Sequence, residues 1–179
     1  MTLPPLWPVF DGHNDLLLNL WLQHDDDPAA AFYSRVTPGH LDFSRMRRGG
    51  FFGGLFAVFI PPVSYIAQMR NQTQDEAQAT FDPLAIAERQ IAILQQLEQA
   101  SQGRLRICRT ATEIEQCRLN RQIAAVLHIE GAGMIDAELT QLEAFYRLGV
   151  RSIGPFWNLP NAFGTGVSGP FPGSPDTGP

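Results

Sequence analysis

The chain has 179 residues, 44% hydrophobic and 17% charged, with a net charge of −5. The apolar fraction excludes disorder of the whole chain, and the negative balance argues against a nucleic-acid or anionic-membrane surface. Two cysteines, Cys108 and Cys117, cannot build a disulfide framework and lack the spacing of a metal clip.

Met1-Thr2-Leu3-Pro4-Pro5 carries no basic segment, and prolines at 4, 5 and 8 interrupt any apolar run. No export signal is read there, so a cytoplasmic protein with reduced thiols is expected. Val9 to His13 predicts a short strand opening into a loop. His24-Asp25-Asp26-Asp27, followed by Pro28, reads as a solvated acidic turn rather than as a ligand set. Asp42 is expected to cap a short helix ending near Arg48, which gives the nearby His40 a structural role.

Phe51 to Ile60 is the most hydrophobic stretch, and it falls well short of the roughly 20 residues that span a bilayer. Within it, Leu55 to Ile60 predicts a strand buried on both faces, ended by Pro61-Pro62. Asp82-Pro83 opens a helix that Gly103 stops, with Leu84, Ala87, Ile91 and Leu94 at helical spacing. Leu105 to Cys108 predicts a third strand, and Thr110 to Glu113 gives the capping box of a short helix. Ile123 to Ile129 predicts a fourth strand that runs into Glu130-Gly131. A helix is expected from about Ala137, with Leu139, Leu142 and Phe145 on one face and Gly149 as its stop. Arg151-Ser152-Ile153 begins a fifth strand.

This alternation specifies an α/β fold with a parallel sheet and right-handed crossovers. A doubly wound sheet would carry a glycine-rich turn after its first strand. Gly12-His13-Asn14-Asp15 stands there instead. A (β/α)8 TIM-type barrel fits better, because its chemistry lies at the C-terminal ends of its strands. A closed barrel takes about 250 residues, so this chain is expected to supply about five of eight βα units of one incomplete barrel domain. From Gly154 to Pro179 there are six glycines and six prolines in 26 residues, a turn composition that predicts a longer protein continuing past Pro179.

His13 and Asp15 stand at i and i+2 at the end of the first strand, a spacing that sends both side chains to one face. An imidazole and a carboxylate converging there suit a divalent cation such as zinc; the alternative is a hydrogen-bonded pair at a strand end. Glu130 ends the fourth strand at the same edge and could reach across the barrel mouth, or else serve the dipole of the helix that follows. His128, two residues earlier, either orients Glu130 or is a hydrogen-bonded interior histidine. Trp157, Phe163 and Phe171 either form an apolar substrate pocket or anchor their loop on the rim. Cys108 and Cys117 read as ordinary thiols without partners.

Asp11-Gly12-His13-Asn14-Asp15, Gly49-Gly50 and His128-Ile129-Glu130-Gly131-Ala132 together resemble the membrane (renal) dipeptidase family of zinc metallopeptidases. Gly149 to Ile153, Asn161-Ala162-Phe163-Gly164 and Ser174 to Pro179 resemble its bacterial members, so the likeness runs through essentially the whole chain. The resemblance implies a (β/α)8 barrel with two zinc ions that hydrolyses dipeptides, and often a homodimer. It implies that His13 and Asp15 bind one zinc and that Glu130 bridges both, beside a shared hydroxide that attacks the peptide carbonyl. Two further histidine ligands, an arginine and an aspartate are implied from strands beyond the fifth. Many relatives have a histidine where Trp157 stands; tryptophan has one donor and transfers no proton at neutral pH, so that role does not carry over.

Two other readings stay open. One keeps the barrel and metals with another amide or lactone substrate; the other is a non-catalytic fragment or degenerate relative. An isolated 1–179 chain is expected to be inactive and poorly soluble, with ligands missing and sheet edges open.

Overall fold

The computed structural model describes residues 7–23, 27–34, 39–157 and 159–167. In chain order these form β1 (Val9–Asn14), α1 (Leu16–Leu22), α2 (Pro28–Ser34), α3 (Phe43–Arg48), β2 (Phe51–Phe59), α4 (Val63–Arg70) and α5 (Gln74–Ala79). There follow α6 (Pro83–Ala100), β3 (Leu105–Ile107), α7 (Ala111–Leu119), β4 (Ile123–Glu130), α8 (Leu142–Leu148) and β5 (Val150–Gly154). His24, Asp25, Asp26, Phe171 and the stretch 168–179 lie outside the described residues.

Among the described residues, every pairing between β1, β2, β3, β4 and β5 is parallel, as the alternation of strands and helices requires. The spatial order departs from a simple sequential winding, because β4, not β3, lies beside β2. β2 accompanies β4 from Gly53↔Ala124 to Phe59↔Glu130. The other edge of β4 is shared between two strands: β3 takes Ile123 to Ala125, and β5 takes Leu127 to Glu130. With only three residues, β3 leaves the C-terminal half of that edge free for β5.

Alternation along β4 separates two interiors. Ile123, Ala125, Leu127 and Ile129 are buried in the main core, which the helices cover. Ala124 and Val126 face the other way, into a smaller cluster with Cys108 and Cys117, against which Leu55 and Ile114 pack. His128 and Glu130 continue that second face toward the strand's C-terminal end. The two cysteines, expected to lack partners, have their sulfurs 3.5 Å apart as free thiols. Burial pushes the Cys108 thiol far above its usual range.

α6 forms as its ends dictate. The Asp82 carboxylate accepts from the amides of Leu84 (2.9 Å) and Ala85 (3.1 Å), with Pro83 in the first turn. Ala87, Ile91 and Leu94 are buried, whereas Leu84 lies ahead of the buried stripe and is exposed. Asp42 caps α3 by accepting from the Arg45 amide at 2.7 Å. α8 starts at Leu142, later than its apolar spacing predicts. Leu139 is exposed and takes a left-handed φ of 60°, and the Asp136 carboxylate closes a turn onto the Thr140 amide at 2.8 Å. Gly149, with φ 113°, stops this helix as expected. Among the described residues no helix is long and apolar enough to cross a membrane.

Candidate metal centre

Three elements converge at the C-terminal edge of the sheet. β1 carries His13, the turn into α1 carries Asp15, and the last position of β4 carries Glu130. A register irregularity between Asp11 and Asn14 interrupts the β1 ladder at Gly12-His13 and sets the direction of the imidazole. Asn14 fixes this bend: it is buried, its amide nitrogen donates to the Leu55 carbonyl at 3.2 Å, and its amide oxygen accepts from the Leu16 amide at 3.4 Å.

Asp15 stands at the N-cap of α1 and its carboxylate makes no capping bond. Asp, placed there, ordinarily caps the helix. Here the carboxylate is directed to His13, with Oδ1 at 3.5 Å from the imidazole Nε2. The pair therefore meets through a strand bend and a helix entry rather than through alternation along one strand. Glu130 Oε2 lies 3.3 Å from the same Nε2. Gly131 follows with φ +77°, a left-handed turn that carries the chain away beneath Trp157.

Among the described residues, His13, Asp15 and Glu130 are the one group whose ligand atoms lie within 4.8 Å of one another. Burial holds the Glu130 carboxyl above its ordinary value; His13 lowers it in part and Asp15 raises it again. Two carboxylates and an imidazole that crowd one another in this way form a donor set suited to a divalent cation, which would relieve the repulsion between the acids.

His128 does not reach Glu130 by any hydrogen bond seen here. Its Nδ1 pairs with Ser152 Oγ at 2.9 Å, and its ring stands edge-on to that of His13 at 5.9 Å. Burial, then the neighbouring His13, hold its imidazole below the usual histidine range. Ser152 faces it because a bulge between Leu127 and His128 in the β4–β5 register flips the alternation of β5.

A cavity of about 560 Å³ opens over the three residues, lined also by Leu18, Phe59, Pro62, Tyr65 and Trp157. Trp157 and Glu130 also border a smaller cavity of about 170 Å³. Phe163 packs against the main core and is not among the residues lining these two cavities. Its loop is closed by Asn161, whose side chain donates to the Pro155 carbonyl at 2.7 Å and accepts from the Phe163 amide at 2.8 Å. Tyr65 and Leu18 were not singled out from the sequence. Tyr65 lies just past Pro61-Pro62 at a strand's C-terminal end, the position where a barrel keeps its chemistry.

A family model described as membrane dipeptidase (peptidase family M19) matches residues 3–175. The chain is 43% identical over 175 residues to an uncharacterized protein in the PQQ-III 3' region of Acinetobacter calcoaceticus, covering 96% of this chain and 55% of that protein. It is 28% identical over 170 residues to dipeptidase verJ of Clonostachys rogersoniana, covering 93% of this chain and 42% of that one. Among solved structures it matches a metallo peptidase from Rhodobacter sphaeroides liganded with a phosphinate mimic of the dipeptide L-Ala-D-Ala. That match has a TM-score of 0.78 and 37% identity, and covers 97% of this chain and 52% of that one. The chain thus spans about half the length of these relatives.

Proposed function

The chain belongs to the membrane dipeptidase family, and from that premise we propose that the full-length protein is a metal-dependent dipeptidase whose centre includes His13, Asp15 and Glu130. The observation that supports this most is the meeting of those three side chains within 4.8 Å at the C-terminal edge of a parallel sheet. His13 and Asp15 would hold a cation, and Glu130 would be a carboxylate ligand beside them. Zinc would suit this mixture of imidazole and carboxylate. When bound, the ions supply Lewis-acid activation of water and of the scissile carbonyl.

The protein's own residues do the rest. Asn14 and the β1 bend hold His13 in place, so little reorganisation accompanies binding. Trp157 forms an apolar wall on one side of the cavity and offers one indole donor. The substrates are dipeptides, including those with a D-residue at the C-terminal side, as the ligand of the Rhodobacter sphaeroides structure suggests.

The test is a panel of L,L- and L,D-dipeptides, with simple amides and lactones, given to the full-length protein with zinc. Cleavage of dipeptides that is lost on chelation and restored by zinc is expected. Cleavage of amides or lactones alone would replace the peptide substrate with another on the same centre.

A further inference from the structure

We infer that Tyr65 is a specificity-determining residue of this site, and that the site prefers dipeptides with one large apolar side chain seated against the Tyr65 ring. This rests on the dipeptidase reading above. The ionisable groups of the candidate metal centre around the cavity come from His13, Asp15 and Glu130, while Leu18, Phe59, Pro62 and the rings of Tyr65 and Trp157 present mainly carbon surface. A substrate whose peptide carbonyl lies at the three polar residues must therefore place neighbouring atoms on that apolar wall.

Tyr65 is suited to this because its ring is free while its helix is fixed. It is 39% exposed, whereas its neighbours Ile66 and Ala67 are 2% and 5% exposed and seat α4 in the core. Arg70, on the last turn of α4, stacks its guanidinium 3.9 Å from the Trp21 ring and donates to the Trp21 carbonyl at 3.0 Å. Trp21 belongs to α1, the helix that presents Asp15 at its start and Leu18 on its side. The aromatic wall and one proposed metal ligand are thus borne by two helices tied together, which keeps their separation constant. About 560 Å³ is room for a dipeptide with a bulky side chain and falls within the range of small-ligand sites.

The test compares kcat/KM of the full-length enzyme and its variants on a glycine-containing dipeptide and on matched dipeptides bearing leucine or phenylalanine at either position. The wild type should favour the bulky side chain at one position by roughly tenfold or more. Tyr65→Ala should remove most of that preference, chiefly through a higher KM for the bulky substrate, and Tyr65→Phe should retain it. Met69→Ala, one turn along α4 and outside the cavity lining, should leave the preference unchanged. A Tyr65→Ala enzyme with the wild-type preference, or a Met69→Ala enzyme that loses it equally, would overturn the inference while leaving the dipeptidase reading intact. A wild type that cleaves no dipeptide would instead overturn the reading on which it rests.

Discussion

The imidazole Nε2 of His13, on β1, stands 3.3 Å from the carboxylate Oε2 of Glu130, on β4, although β2 lies between those two strands. Two strands that share a neighbour are about 9–10 Å apart, so both side chains must lean over β2 to meet. Nearer its N-terminal end, where it passes Asp11 of β1 and Ala124 of β4, β2 carries glycine at 53 and 54.

A Cβ at Gly54 would lie 2.8 Å from the Asp11 carbonyl oxygen, and one at Gly53 would lie 2.7 Å from that of Ala124. Gly54→Ala is therefore expected to push β1 away from β2, cost about 1–3 kcal/mol, and weaken zinc binding by displacing His13. Gly133→Ala, whose Cβ would meet nothing within 4 Å, should stay within about 0.5 kcal/mol of wild type. Urea unfolding and zinc titration of the two variants measure both effects.

Gln90 on α6 is fully buried and pairs with the free backbone edge of Phe59, accepting from its amide at 3.1 Å and donating to its carbonyl at 2.7 Å. β1 ends its pairing at Asn14↔Phe56, so these two groups of β2 have no strand neighbour on that side. Gln90→Leu should leave both unpaired and cost about 2–4 kcal/mol, read from the urea midpoint at constant m-value. It should also lower kcat/KM, because Phe59 lines the cavity.

Asp42 gives a pH-dependent contribution whose sign is determined by its partners. Burial alone would raise its carboxyl, but the Arg45 amide at 2.7 Å and the Arg45 guanidinium at 2.6 Å outweigh this and hold it below 3.8. The folded value lies beneath the unfolded one, so the stabilisation is present above pH 3.8 and lost as pH falls through the lowered value. Asp42→Ala should cost about 1–2 kcal/mol at pH 7, and the gap from wild type should narrow below that pH in urea unfolding. A gap independent of pH would show that the cap matters only as a hydrogen bond.

Local chemistry made most elements legible. Asp82-Pro83, the Thr110–Glu113 box and Gly149 mark helix ends by bonds within a few residues, and all three act as read. Leu139 misled because its apolar character matches a helical stripe while its backbone takes a left-handed turn. The position of β3 was not legible, since lateral strand order is set by tertiary packing that no local period records. At the candidate site, His13, Asp15 and Glu130 could be singled out because polar residues are conspicuous at the ends of apolar strands. Tyr65 could not, because an aromatic residue after Pro61-Pro62 looks like ordinary loop anchoring until the cavity is seen. Phe163 has the same appearance and packs against the main core. The Cys108–Cys117 contact joins a strand end to the helix after it, and a separation of nine residues does not reveal it.

His13, Asp15 and Glu130 are proposed to hold catalytic metal. Elemental analysis of the purified full-length protein, with the dipeptidase rate of the same samples, tests it most directly. About two zinc ions per wild-type chain are expected, with a marked loss of bound metal in Glu130→Gln and His13→Ala. The rate should fall by more than the roughly 10–100-fold typical of removing a group that only supports a ligand. Unchanged metal content in both variants, or full activity in a metal-free wild type, would contradict it.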